Sequence, residues 1–280
     1  MKGKEGKLIV VTGCDSGIGK SLAEVLIKRG YSVAISYLET NHFEEVSNAY
    51  SRRMDVLKPL EVEEFCSYVK DICNTGLALE AIVMNAGITM VGPVENLPME
   101  LYRKCMEINY FAPVKMIKEF IPEIIQNKGR IMMIGSYAGR IALPFLSAYA
   151  SSKYAAEGFC DSLRREMNPF GVKTILMEPR AVATPMWNKG KDQDISFTDE
   201  KYKSCLTKAR ESFVKGGNNG VDVDVAAFDI SQMLLSKNPK PRYIIAKNMP
   251  TSKFLLMVPD RVLDKGIKKV FHMDYGKKDK

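Results

Sequence analysis

The chain has 280 residues, a net charge of +8, 46% hydrophobic residues and 26% charged residues, the balance of a soluble globular protein with a sizeable core. Its six cysteines are dispersed without a C-x-x-C pair, and its two histidines, His42 and His272, stand far apart. This speaks against a metal site or a disulfide scaffold and suits a reducing cytoplasm. The apolar runs are far too short for a membrane span, and the charged residues 1–7 lead into a run too short for a signal-peptide core. Part of the positive charge gathers at Lys265, Lys268, Lys269, Lys277, Lys278 and Lys280. It reads as a solvated end rather than a nucleic-acid surface, because no aromatic interleaving or nucleic-acid motif accompanies it.

In chain order, residues 8–11 are expected to form a strand, followed by a helix over 19–29 that Gly30 closes. Strands follow at 32–36 and 52–56, a helix at 60–75 and a fourth strand at 81–84. Residues 99–126 form a long helix in which Pro113 and Pro122 mark kinks or breaks. A strand at 129–134, a helix at 147–168, a strand at 172–177 and a late strand at 242–246 complete the series. Such alternation implies βαβ units and an α/β fold: a doubly wound parallel sheet of seven strands with helices on both faces. No linker divides residues 1–280, so a single domain is expected. Residues 185–220 are polar and charged, then helical around 199–214, and read as an excursion over one end of the sheet.

The first strand runs into Thr12-Gly13-Cys14-Asp15-Ser16-Gly17-Ile18-Gly19 and a helix follows. Glycines here permit a tight turn and close approach of a pyrophosphate to backbone N–H groups at a helix N-terminus. Far along the chain, Tyr149 and Lys153 are four residues apart on one predicted helix and share a face. A cation beside a phenol favours its phenolate, a route to acid–base work near neutral pH.

The G-x-x-x-G-x-G spacing is similar to the first motif of the short-chain dehydrogenase/reductase family, and further stations resemble that family in order. Asp55-Val56 matches its adenine-contacting pair, and Asn85-Ala86-Gly87 its N-A-G motif. Asn109 lies inside an otherwise apolar helix, where Asn is unfavourable. Ser136 precedes Tyr149 by 13 residues, the family's usual separation. Pro179, Val182 and Thr184 resemble P-G-x-x-x-T, although Arg180 stands where glycine is usual. The resemblance implies a Rossmann fold and hydride transfer between a nicotinamide and an alcohol or carbonyl carbon. Tyr149 would be the general acid or base, Lys153 would lower its pKa and hold the nicotinamide ribose, and Ser136 would polarise the carbonyl. Asn109 would break its helix and link Lys153 to solvent. Gly13, Asp15, Ser16, Gly17, Ile18, Gly19, Asp55, Val56, Asn85, Ala86, Gly87, Tyr149, Lys153, Pro179, Val182 and Thr184 would contact the dinucleotide.

Tyr37 and Leu38 end the second strand, where an acid would favour NAD and a base NADP. Neither position is basic and Glu39 is near, so NAD(H) is favoured over NADP(H), with Arg52 and Arg53 as the groups able to reach a phosphate. The start T-G-C-D-S-G and the tail resemble the branch of retinol, hydroxysteroid and 3-hydroxybutyrate dehydrogenases. That resemblance points to a hydrophobic steroid, retinoid or acyl-like substrate near Ser136, Tyr149, Arg180, Met186 and Trp187. It also implies a homodimer or homotetramer through the long helices. The apolar, basic tail suits peripheral contact with a membrane. A catalytically silent nucleotide-binding scaffold of the same fold is the competing reading; its usual mark, a missing Tyr or Lys, is absent.

Overall fold

Among the described residues seven segments are extended: Lys7–Val11 (β1), Ser32–Tyr37 (β2), Ala49–Arg53 (β3), Ala78–Met84 (β4), Arg130–Ile134 (β5), Lys173–Pro179 (β6) and Arg242–Ile245 (β7). They form one sheet in the order β3-β2-β1-β4-β5-β6-β7, parallel throughout. The α-helices are Gly17–Lys28 (α1), Pro59–Asn74 (α2), Met99–Met106 (α3), Ala112–Gln126 (α4), Ser147–Met167 (α5), Met186–Lys191 (α6), Glu200–Asn218 (α7), Val223–Leu234 (α8), Met249–Leu255 (α9) and Asp260–Val270 (α10). This computed structural model describes residues 6–271 and Met273, so Lys277, Lys278 and Lys280 lie outside the described residues.

The strands are buried on both faces, which is why they read as unbroken apolar runs. Along β1, Leu8 and Val10 join a core with Phe65 of α2, Phe120 of α4 and Leu163 of α5. Ile9 and Val11 point the other way, onto Leu22 and Leu26 of α1 and Ile230 of α8. The period of two thus divides the interior into two cores with the sheet between them. Truncating a fully buried side chain such as Phe120 to Ala costs about 3–5 kcal/mol. A smaller cluster lies beyond the strand ends, where Leu206 and Ala209 of α7 meet Phe145, Leu146 and Phe271.

Several elements differ from expectation, among them α9 and α10, which occupy stretches given no element from sequence. The third strand is Ala49–Arg53 rather than 52–56, in register from Val33↔Ala49 to Tyr37↔Arg53. It is an edge strand with partly exposed Ser51, Arg52 and Arg53, so hydrophobic patterning does not mark it. Asp55 then ends it by accepting a bond from Leu57 N–H at 3.0 Å. The helix over 99–126 is interrupted not at Pro113 or Pro122 but at Glu107–Phe111, which winds as a π-helix. Pro113 sits in the first turn of α4, where a missing N–H is tolerated. Finally, α8 occupies a stretch given no element from sequence, begun by Asp222, whose side chain caps Asp224 and Val225. The 185–220 segment carries α6 and α7. Among the described residues no helix is long and apolar enough to cross a membrane.

Candidate active site

The strand order reverses between β1 and β4, and this opens a crevice at their C-terminal ends. The turn after β1 brings Gly13 (φ +71°) so near the next strand that a Cβ there would lie 2.8 Å from Ala86 Cα. A Cβ on Gly19 would strike the Gly13 carbonyl oxygen and Asn85 Nδ2. Asn85 locks this contact by donating Nδ2 to the carbonyls of Thr12 (2.9 Å) and Gly13 (3.0 Å). The Thr12 hydroxyl accepts from Asn85 N–H (3.0 Å) and Ala86 N–H (3.1 Å). At the start of α1, Ser16 is extended and makes no side-chain cap, and the first turn holds no acid. Its free N–H groups therefore face the crevice without a competing anion, and a pyrophosphate fits there. Gly17 is left-handed (φ +58°), and a Cβ on it would come within 3.2 Å of Thr184 Cγ2, so the segment after β6 closes over the same turn. Ile18 is turned into the core beneath.

At the adenosine end, Asp15 accepts bonds from Leu38 N–H (3.0 Å), Glu39 N–H (2.6 Å) and Thr40 N–H (3.1 Å). It builds the loop after β2 and the Tyr37 strand end rather than pointing freely outward. Asp55 spends one oxygen on Leu57 N–H, and Val56 packs against the first core. Arg52 and Arg53 bond Glu64 and Glu61, each at 2.9 Å, so the expected phosphate-reaching groups are already paired.

Four residues converge on the inner end of the crevice. The π turn presents Asn109, which is buried. Its Oδ1 accepts from Ile88 N–H (2.9 Å), and its Nδ2 donates to the Ile88 carbonyl (2.9 Å) and to Ser152 Oγ (2.9 Å). Asn109 thus ties the Asn85-Ala86-Gly87 segment to α5. A Cβ on Gly87 would lie 3.2 Å from Asn109 Oδ1 and 3.8 Å from Lys153 Nζ. Lys153 is buried and donates to the Ile134 carbonyl at 2.8 Å. Ser136 follows β5, its Oγ accepts from Ala138 N–H at 3.1 Å, and the hydroxyl stands near enough to the Tyr149 phenol to favour its charged form.

Lys153 Nζ lies 5.7 Å from the Tyr149 ring centre. Burial is the largest influence on the phenol and pushes Tyr149 up to about 12, against the Ser136 hydroxyl. Burial likewise pushes Lys153 down to about 8. The phenol is held protonated, the form that donates a proton.

After β6, Pro179 leads to Arg180, which does not turn into the crevice. Its Nη1 donates to Ser252 Oγ of α9 at 3.1 Å and its guanidinium covers Tyr137 at 5.6 Å. Val182 is buried and bridges to Val221. Trp187 donates Nε1 to the Val182 carbonyl at 2.7 Å and lies flat on Gly217 of α7, while Met186 is half-buried beside it. Trp187 therefore joins α6 to α7. Tyr149 packs against a buried apolar cluster that includes Met90, Leu97, Cys105 and Ala148. Thr12, Ser36 and Ser152 also shape the site; Ser36 Oγ accepts from Gly13 N–H at 3.1 Å. Their only sequence signal is their place inside or beside the motifs.

The sequence profile of the short chain dehydrogenase family matches residues 7–195. The NADPH-dependent 3-dehydrocapnine reductase of Ornithobacterium rhinotracheale is 29% identical, spanning 96% of this chain and 97% of that enzyme. Mitochondrial D-beta-hydroxybutyrate dehydrogenase of Mus musculus is 32% identical over 85% of this chain and 76% of its own. Estradiol 17-beta-dehydrogenase 2 of Mus musculus is 30% identical over 85% and 67%. A short chain dehydrogenase/reductase from Burkholderia phymatum, solved in complex with NAD, superposes with a TM-score of 0.78 at 16% identity, covering 95% of this chain and 97% of that one. By sequence and by fold, the chain belongs to the short-chain dehydrogenase/reductase family, among the relatives of hydroxybutyrate and hydroxysteroid dehydrogenases, and is an oxidoreductase of alcohol and carbonyl groups.

Proposed function

We propose that this protein interconverts a secondary alcohol and a carbonyl on a hydrophobic substrate, using Ser136, Tyr149, Lys153 and Asn109. The observation that carries the reading is the gathering of Ser136, Tyr149, buried Lys153 and buried Asn109 beside the Asn85-Ala86-Gly87 segment. When bound, a nicotinamide supplies or accepts the hydride. Ser136 and Tyr149 meet on the reacting oxygen. Ser136 polarises it as a fixed donor, and Tyr149 delivers the proton to it during reduction. Lys153 holds the nicotinamide ribose, and Asn109 fixes the floor on which Lys153 rests. Gly13, Gly17, Gly19 and the open start of α1 hold the pyrophosphate. Asn85, Ala86, Gly87, Pro179, Val182 and Thr184 flank the nicotinamide half, and Asp15, Tyr37, Leu38, Asp55 and Val56 the adenosine half.

The acid side chains Asp15 and Glu39 at the adenosine end, with Arg52 and Arg53 held elsewhere, support NAD(H) over NADP(H). The apolar surround of Tyr149 supports a hydrophobic substrate. Exposed Phe111 and Tyr154 on the two long helical runs support a homodimer or homotetramer. Exposed Phe254, Met257 and Val262, interleaved with Lys253, Arg261 and Lys265, support contact with an anionic membrane surface. Cys14, Cys66, Cys73, Cys105 and Cys160 are thiols rather than disulfides, which supports a reducing cytoplasm.

Titration with NADH and NADPH, followed by the fluorescence of the reduced nicotinamide, tests the cofactor. Tight binding of NADH alone is expected, and binding of neither would move the reading to a silent scaffold. Tyr149→Phe is expected to bind cofactor normally and to lose about 10²–10⁴-fold in turnover. Retained turnover would remove Tyr149 from the chemistry.

A further inference from the structure

One buried charge cluster stands outside the candidate site. Glu157 lies on α5 one turn beyond Lys153, and Glu178 lies in β6 directly before Pro179. Both are buried, Glu178 completely. Arg242 of β7 reaches between them. Its Nε, which carries one hydrogen, donates to Glu157 Oε2 at 3.0 Å, and its Nη2 donates to the same oxygen at 2.7 Å. The same Nε stands 2.7 Å from Glu178 Oε1, and Arg140 Nη1 stands 3.6 Å from it. These are charge contacts with no hydrogen aimed at the Glu178 carboxyl. Both oxygens of Glu178 and Oε1 of Glu157 are therefore buried with no hydrogen-bond partner. Such orphaned acceptors are costly. Glu157 Oε2 and Glu178 Oε1 stand 3.0 and 2.7 Å from the same Arg242 Nε, so the two carboxyls adjoin and a proton on one would give the other the donor it lacks.

We propose that Glu157 and Glu178 share a single proton, and that this carboxyl pair, gripped by Arg140 and Arg242, is a protonation-dependent latch joining the helix of Tyr149 and Lys153 to the β6–β7 edge. The balance of charge agrees. Burial first, and then the negative charge of Glu157, raise Glu178 from 4.5 to about 7 against the pull of Arg140 and Arg242. Other groups near the pair leave its proton in place. Asp161 on α5 takes a share of Arg242 at 3.5 Å and of Arg164 and Arg165. The Cys160 thiol on α5 and the Tyr137 phenol are kept neutral by burial. Lys153 directs its ammonium to Ile134 and Arg180 its guanidinium to Ser252.

The sign of the pH effect follows. The native state keeps to about 7 a proton that the unfolded chain releases near 4.5. Stability contributed by the latch is thus present below that window, declines as pH rises through it, and levels off above. Above neutrality two carboxylates face each other in a closed space, and β6 and α5 loosen next to Pro179. Any effect on cofactor affinity rests on the function proposed above; the shared proton does not.

Two measurements on the cofactor-free protein decide it. Infrared spectra of the wild type near about pH 6, where ordinary carboxyls are ionised, should show a protonated carboxyl stretch that disappears by about pH 8.5. Melting temperature should fall by on the order of 5 °C between about pH 5 and about pH 8 from this source. Glu178→Gln, which keeps a donor for Glu157, should lack the stretch and lose that decline. Absence of the stretch in the wild type, or an unchanged decline in Glu178→Gln, would overturn the proposal. If the variant does not fold, the wild-type infrared titration alone decides.

Discussion

The turn after β1 and the segment after β6 adjoin at Gly17 and Thr184 and are shaped differently. Residues 12–19 owe their form first to backbone, with left-handed glycines, contacts with no space for a Cβ and a helix end without a cap, and Asn85 and Ser36 then pin that backbone. Residues 179–191 have no such backbone constraint and are fixed by their own side chains, which reach far along the chain. Arg180 goes to Ser252, Trp187 to Gly217, Lys189 to Glu39 at 3.8 Å, and Arg210 donates to the carbonyls of Gly190 and Gln193 at the end of α6. A phosphate group has one shape, and a backbone cradle suits it. A substrate side built from replaceable anchors can be reshaped without disturbing the cradle.

Breaking the cradle should have the largest effect. Gly19→Ala puts a methyl on the Gly13 carbonyl and Asn85 Nδ2. It should weaken dinucleotide binding by on the order of 100-fold and destabilise the fold by about 2–4 kcal/mol. Normal binding in a fluorescence titration would mean the turn is not the phosphate site. A smaller effect should come from pH. Lys153, pushed down to about 8 by burial, loses its charge as pH rises past that value. Cofactor affinity should therefore fall up to about tenfold above that value, and a flat profile to higher pH would show that its charge is not used. Smaller still, Trp187→Ala should free α6 from α7. We expect faster proteolytic cleavage in 186–218 and a raised KM for the carbonyl substrate, with cofactor affinity changed by less than about twofold. An equal loss of both would show that the two regions are one unit. Arg180→Gly should do least, lowering stability by about 0.5–1.5 kcal/mol as the bond to Ser252 is lost. A large change in turnover would instead put Arg180 against the substrate.

The same division explains what was legible in the sequence. The glycine turn, Asn85, Asn109 and the Tyr149/Lys153 pair could be placed because each is tied to a local element: a strand end, a helix interior, one face of a turn. The break at Asn109 was implied, although its π winding was not, since the prolines nearby are the more visible breakers. The polar edge strand β3 was expected at 52–56 and lies at 49–53, because its half-buried, polar side chains give hydrophobic patterning little to mark its bounds. The destinations of Arg180, Trp187, Arg52 and Arg53 depend on partners 8 to 72 residues away, and no local pattern encodes those. The burial that raises Tyr149 and lowers Lys153 was not legible either. Proximity along a helix is readable, but burial is a property of the assembled interior.

The bond from Asn85 to the Gly13 carbonyl spans 72 residues, and the sheet it closes is parallel throughout. Pairings of that range form late and slowly, because loop closure precedes any reward. The phosphate cradle cannot exist before β4 has docked beside β1, so a dinucleotide has nothing to hold on a partly folded chain. Under the proposed function, a dinucleotide binds the finished molecule and draws the folding equilibrium toward it, by about 2.7 kcal/mol when present at a hundred times its dissociation constant. The nicotinamide cofactor would then act on this chain as a folding ligand as well as a reactant.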